Sequence, residues 1–270
     1  MDITTVAAID VHAHYGPMIR GQQPLIDDWL SIDAPGVVDL AKKANTRLTV
    51  ASPMAGLVPR GHAVTVPANE EAARLAREID GLLQWVIVHP EQPETYDQAS
   101  EMLQQPQCMG IKIHPEEHQY EITKHGGKLF DFAAEHDAVV LAHTGDPFSW
   151  PADFLPFINE HENVRLILAH LGNGGSAAGD PTLQVRAIQA ARYDNVYVDT
   201  SSSRSILNGL LEWAVGEIGR DRILYGTDSP LYSAAMQRAR VDQADISDDA
   251  KHCILYRNAE NLLGLADVES

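Results

Sequence analysis

The sequence predicts an α/β protein, a (β/α)₈ barrel of the TIM type. Three observations predict it: eight short runs rich in β-branched and aliphatic residues, a helical periodicity after each, and a length of 270 residues that suits one such barrel. The strands are expected at residues 6–11, 47–51, 83–88, 109–113, 138–142, 165–169, 195–198 and 222–225. The first run leads into His-Ala-His-Tyr-Gly, where an open doubly wound sheet would place a glycine-rich phosphate loop. The helices are expected at residues 36–44, 68–79, 94–104, 128–136, 153–160, 182–192, 205–218 and 247–263. The last one opens on Ser247 followed by Asp248 and Asp249, a capped start, and Gly264 stops it. No linker or low-complexity tract divides the chain, so residues 1–270 are expected to form one domain. Two long loops, 15–35 and 52–67, leave the carboxyl ends of the first two strands, where they are placed to cover a pocket.

Charge narrows the partners. Asp and Glu number 38 against 20 Lys and Arg, a formal charge of -18, which repels phosphate backbones and anionic lipid at long range. Nucleic acid and membranes are therefore poor partners, whereas a small acid remains admissible because a bound cation reverses the potential inside a pocket. The two cysteines, Cys108 and Cys253, offer neither a disulfide framework nor a thiolate metal site. The chain's start has no basic stretch followed by an apolar run, and no run of about 18 apolar residues occurs, so a soluble, cytoplasmic setting is expected.

The histidines carry the chemistry. Of twelve, His12, His14, His89, His114, His143 and His170 fall at or just past the end of an expected strand. His12 and His14 are one residue apart on a strand, so both imidazoles point to one side and can serve one ion; Asp10 shares that parity. His143, His170 and Asp228 close three further strands at equivalent heights. Imidazole nitrogens with one carboxylate suit a divalent metal, zinc first, with manganese or iron as alternatives. An open coordination position would bring a water there toward neutrality and supply a hydroxide nucleophile. Lys112 and His114 share parity on strand four and are expected to face the mouth, Lys112 to hold a substrate carboxylate, to be carbamylated between two ions, or to pair with Asp10 or Asp228. Asp199 reads as an acceptor that orients a histidine. Arg204, on the rim after strand seven, is a carboxylate binder, and Trp150 a wall of the substrate pocket. His62, His118, His125, His136, His161 and His252 fall in loops or helical patterns and read as solvated or capping residues.

Seven segments then resemble one known group. They are IDVHAHYG, GIKIHPE, LAHTGDP, ILAHLGN, VYVDTS, ILYGTDSP and RNAENLLGL, and together they resemble the amidohydrolase superfamily, in the branch that holds aminocarboxymuconate-semialdehyde decarboxylase. The resemblance implies a slightly distorted barrel with a metal on His12, His14, His143 and Asp228. It also implies that Asp228 doubles as general base and that His170 orients the attacking water or polarises the reacting group. Relatives of the TatD phosphodiesterase type carry a glutamate on strand four where this chain has Lys112 and His114, which weighs against a nuclease. The leading expectation is a hydrolase acting on a small, carboxylated molecule; the alternative is a decarboxylase in which the metal and Lys112 or Arg204 hold the acid. Dimers are common among such relatives, so the resemblance admits a homodimer and leaves the oligomeric state open.

Overall fold

In the computed structural model, which describes residues 2–20, 23–175 and 179–265, eight parallel strands form one sheet in chain order. They are β1 (Ala8–Tyr15), β2 (Thr46–Pro53), β3 (Leu82–Ile87), β4 (Cys108–Ile113), β5 (Val139–Ala142), β6 (Arg165–Leu168), β7 (Val196–Asp199) and β8 (Ile223–Leu224). The sheet closes on itself: Val11 N donates to Tyr225 O at 2.9 Å, His14 N to Ser229 O at 2.6 Å, and Ala13 bridges Ser229 in parallel. This is the expected (β/α)₈ barrel.

Alternation along the staves divides the apolar residues into two layers. Val86, Ile111, Ile113, Val140, Leu166 and Leu168 face outward and pack against helices through Phe130, Leu129 and Ala133. Ile9, Val11, Val50, Trp85, Leu141 and Ile167 fill the barrel, with Trp85 Nε1 donating to Val11 O at 2.8 Å. That ring needs room, and Gly110 supplies it: at φ +149° its missing Cβ would collide with Val139 O and the Trp85 ring.

On β1 strict alternation fails. The register slips between Asp10 and Ala13, so Ile9 and Val11 lie in the interior cluster while Ala13 and Tyr15 pack outward with Val37 and Ala72. His12 and His14 reach the mouth, and Asp10 does not share their direction as equal parity would require.

The helices are α1 (Pro24–Leu30), α2 (Ala34–Lys43), α3 (Thr65–Glu78), α4 (Glu94–Met102), α5 (Pro115–His118) and α6 (Ile122–Glu135). They continue with α7 (Leu155–Ile158), α8 (Leu183–Ala190), α9 (Leu210–Ile218), α10 (Ala234–Asp242), α11 (Asp248–His252) and α12 (Asn258–Leu263). Two of these differ most from expectation. The helix expected from 205 begins only at Leu210, after Gly209 in the left-handed region at φ +83°. The helix expected at 247–263 is divided by a π-helical turn over Cys253–Arg257. No helix among the described residues is long and apolar enough to cross a membrane.

The two long loops meet over the fourth strand. Arg20, after β1, and Arg60, after β2, both reach the buried carboxylate of Glu117 in α5, at 2.5 and 3.0 Å. Both crossings tie the loops to the barrel rim.

Candidate metal centre

Three donor atoms converge where β1 meets the end of β8. His14 Nε2 lies 3.2 Å from Asp228 Oδ1, His12 Nε2 lies 3.7 Å from the same oxygen, and the two imidazole nitrogens are 3.2 Å apart. Donors bound tetrahedrally at the usual zinc–nitrogen length would stand about 3.3 Å from one another. The residues therefore fit an ion. Their outward nitrogens are held by acceptors: His12 Nδ1 faces Asp199 Oδ2 at 2.9 Å, and His14 Nδ1 faces Ser52 O at 3.2 Å. With the proton on each Nδ1, both Nε2 lone pairs point at the shared space.

Asp199 and Ser201 organise the region beneath. Asp199 Oδ1 accepts from the backbone N–H of His170 at 2.9 Å and from the Ser201 hydroxyl. Ser201 Oγ also contacts His12 Nδ1 at 3.0 Å and His170 Nδ1 at 2.8 Å. Asp10 works on the other side, accepting from Thr227 Oγ1 at 2.6 Å, Thr227 N at 3.1 Å and His12 N at 3.0 Å, so it staples the end of β8 to β1. Burial pushes the Asp10 carboxyl up to about 7 despite those donors. For Asp228 burial also acts upward, but the hydrogen bond to His14 and the nearby His12 and His170 outweigh it and hold the carboxyl well below its usual range.

Lys112 is fully buried, and its Nζ lies 2.8 Å from His12 Nε2. Burial pushes it down to about 8, against the upward pull of Asp228 and Asp199. It thus reaches the same nitrogen that faces the shared space, rather than the Asp10 carboxylate.

His143 stands apart from the three converging donors. Its Nδ1 is 2.9 Å from His170 Nε2, and its Nε2 is 2.9 Å from Asp146 Oδ2 and 3.4 Å from Glu116 Oε2. His114 stacks on it, rings 4.0 Å apart and 11° from parallel, while its own Nδ1 caps α5 through Glu117 N at 3.2 Å. Burial lowers His143, but Asp146 and Glu116 prevail and raise it; burial and His143 push His170 down to about 4. Glu116 and Asp146 were not singled out from the sequence, where they look like ordinary loop acids; the only signal was their closeness to the strand ends.

Two backbone conformations were equally hidden. His170 and Asp228 both sit in the left-handed region, at φ +77° and +54°, which costs a non-glycine residue about 1–2 kcal/mol. The turns they make aim both side chains into the mouth.

The mouth is a cavity of about 420 Å³ lined by His14, His114, His143, His170, Arg204 and Asp228 among others. That is the size of a small-molecule site. Arg204 Nη2 donates to Gly179 O at 3.0 Å from the cavity wall. Trp150 is 41% exposed and lies against Gly175 on the rim. Of the six histidines read as solvated or capping, His118 is a correction: it is buried, with Nε2 donating to Gly56 O at 2.9 Å and its ring 4.5 Å from that of His89. The residue's place in the four-residue α5, turned inward behind the Pro115 start, takes it out of solvent.

Fold and mouth together define a closed parallel barrel that carries imidazoles and carboxylates at the carboxyl ends of its strands. Residues 9–265 match the amidohydrolase family, and the chain belongs to it. Comparison with curated proteins finds no match. Among solved structures, the chain is similar to 2,6-dihydroxybenzoate decarboxylase from Rhizobium, with a TM-score of 0.75 at 14% identity, over 96% of this chain and 99% of that one. It is similar to a dihydroxybenzoic acid decarboxylase from Polaromonas with bound manganese and 2-nitroresorcinol, with a TM-score of 0.75 at 15% identity, over 96% and 97%. A third is 5-carboxyvanillate decarboxylase from Sphingomonas paucimobilis, with a TM-score of 0.70 at 11% identity, over 95% and 98%.

Proposed function

We propose that this protein is a metal-dependent decarboxylase of a small carboxylated molecule, its ion held by His12, His14 and Asp228. The observation that carries the reading is the convergence of those three buried donor atoms, 3.2 to 3.7 Å apart, at the floor of the cavity. Family membership supports it, and the likeness to three decarboxylases across at least 95% of the chain favours carbon–carbon cleavage over the hydrolysis expected first from the sequence. Manganese in one of those structures argues for manganese beside zinc as the metal to test. When bound, the ion supplies positive charge that anchors an acid and withdraws electrons from it.

The chain's own groups do the rest. Asp228 stays ionised, so it is a donor to the ion and a base. His170, kept neutral by burial and by His143, lines the cavity with its ring fixed by Ser201 at Nδ1 and by His143 at Nε2. Lys112 adds a buried amine beneath the donors, and Arg204 a guanidinium at the wall, both suited to an acid's charge. His114 fixes the His143 ring by stacking. Trp150, on the rim, guards entry rather than walling the floor.

The test is a screen of aromatic and dienoic acids with protein loaded with Mn²⁺ or Zn²⁺, run in ¹⁸O-labelled water. Carbon dioxide release with no label in the organic product is expected, and Asp228→Asn should lower kcat by at least ~10²-fold. Label in the organic product would restore hydrolysis, and unchanged turnover in Asp228→Asn would overturn the assignment of the ion.

A further inference from the structure

Ser201 is fully buried beneath the mouth, and its hydroxyl oxygen meets Asp199 Oδ1, His12 Nδ1 at 3.0 Å and His170 Nδ1 at 2.8 Å. We propose that Ser201 is a positioning residue that fixes the tautomer of His170, with the proton on Nδ1 and the lone pair on Nε2.

Counting donors and acceptors leads there. Asp199 Oδ1 accepts from two backbone N–H groups, those of His170 at 2.9 Å and Ser201 at 3.0 Å, and Asp199 Oδ2 faces the protonated Nδ1 of His12 at 2.9 Å. Both oxygens thus face donors, as an ionised, acceptor-only carboxylate requires. The Ser201 hydroxyl has a single hydrogen, and Asp199 Oδ1 takes it. Only lone pairs then remain on Oγ, so His170 Nδ1 must come to it as a donor. A neutral imidazole protonated at Nδ1 keeps its lone pair on Nε2.

The place of that hydroxyl does not depend on His170. Thr200 N donates to Leu224 O in β8 at 3.1 Å, Thr200 Oγ1 donates to Gly226 O at 2.9 Å, and Gly226 N donates to Thr200 Oγ1 at 3.1 Å. Together with the bond from Ser201 N to Asp199, these hold the backbone from which Oγ projects. The ring therefore adjusts to the hydroxyl, and not the reverse.

The consequence lies at the opposite nitrogen. His170 Nε2 is 2.9 Å from His143 Nδ1, and both residues line the cavity. With its lone pair there, His170 can take a proton or face positive charge; with the tautomers exchanged it would be a donor and could do neither. The same oxygen touches the outward nitrogen of His12, so one hydroxyl serves a donor to the proposed ion and the ring beside it. The part this acceptor plays in turnover rests on the decarboxylase reading above, whereas the location of the proton does not.

The full-length, metal-free protein labelled with ¹⁵N-histidine and studied by long-range ¹H–¹⁵N correlation at neutral pH tests the proposal, with His170→Gln identifying the resonances of that ring. His170 is expected as the Nδ1–H tautomer. Ser201→Ala should abolish that preference with unchanged circular dichroism, and Ser201→Thr, which keeps a hydroxyl, should retain it. In turnover of an acid found by the screen above, Ser201→Ala should lower kcat about 10–100-fold with KM nearly unchanged. An Nε2–H tautomer in the unaltered chain would overturn the proposal however the variants fold, and so would an Nδ1–H preference that persists in Ser201→Ala. Absence of turnover in the unaltered chain would count against the decarboxylase reading alone, since the tautomer is read without metal or substrate.

Discussion

Asp199 does not line the cavity, yet it fixes two histidines of the site, the ring of His12 and the backbone of His170. Asp199→Asn keeps the shape and halves the acceptor capacity facing His12. Mn²⁺ affinity is expected to fall about 10–100-fold while the metal-free protein melts near the unaltered temperature, as calorimetry and thermal scans would measure. An unchanged affinity would leave His12 oriented by Ser201 alone. At this scale the sequence exposed the residue types well. The spacing of His12 and His14 on one strand and the position of Asp228 at the end of another led to three donors that converge. It could not show which way His143 turns, because that is decided by Glu116 in α5 and Asp146 in the loop after β5. Nor could it reveal the left-handed turns at His170 and Asp228, since neither residue type demands one.

Elements were legible where burial imposes a period. All eight strands lie close to the apolar runs, for each is covered on both faces and its buried residues are mostly apolar, with Asp10, His12, His14 and Lys112 among the polar exceptions. Helix ends are less legible, and α1, α5 and α10 fall outside the expected helices. In α1 none of the residues is buried, and Leu25, Ile26 and Trp29 are exposed, so no inward stripe marks it. The α9–α10 contact offers a test of element-level electrostatics. Glu212 accepts from Arg240 Nη1 at 3.1 Å and from Asp245 N at 3.0 Å. Burial acts to raise its carboxyl, but Arg240 and the backbone donors hold it down to about 2. A carboxyl depressed in the folded state stabilises above its unfolded value, and that contribution is lost as pH falls through the folded one. Glu212→Gln should therefore be less stable than the unaltered chain at pH 7, and the gap in urea midpoint should close between pH 4.5 and pH 2. A gap independent of pH over that window would assign the effect to packing.

The whole barrel depends on one exchange of volume, a large indole inside against a missing side chain beside it. Gly110→Ala would drive a methyl group into Val139 O and the Trp85 ring, both backbone and core being rigid there. We expect a loss of ~3 kcal/mol or more, read as a lower urea midpoint with altered Trp85 fluorescence; a loss under ~1 kcal/mol would mean that β4 and β5 slide apart freely.

Barrel closure runs between the first stave and the residues after the last, where Asp228 N donates to His12 O at 2.7 Å. The donors at the floor straddle that seam, two from near the amino end of the chain and one from more than two hundred positions later. A polypeptide still leaving the ribosome has its two imidazoles long before its carboxylate, and a truncated product never acquires it. An ion on those three donors, as proposed above, would therefore be held only by a chain that includes the eighth strand.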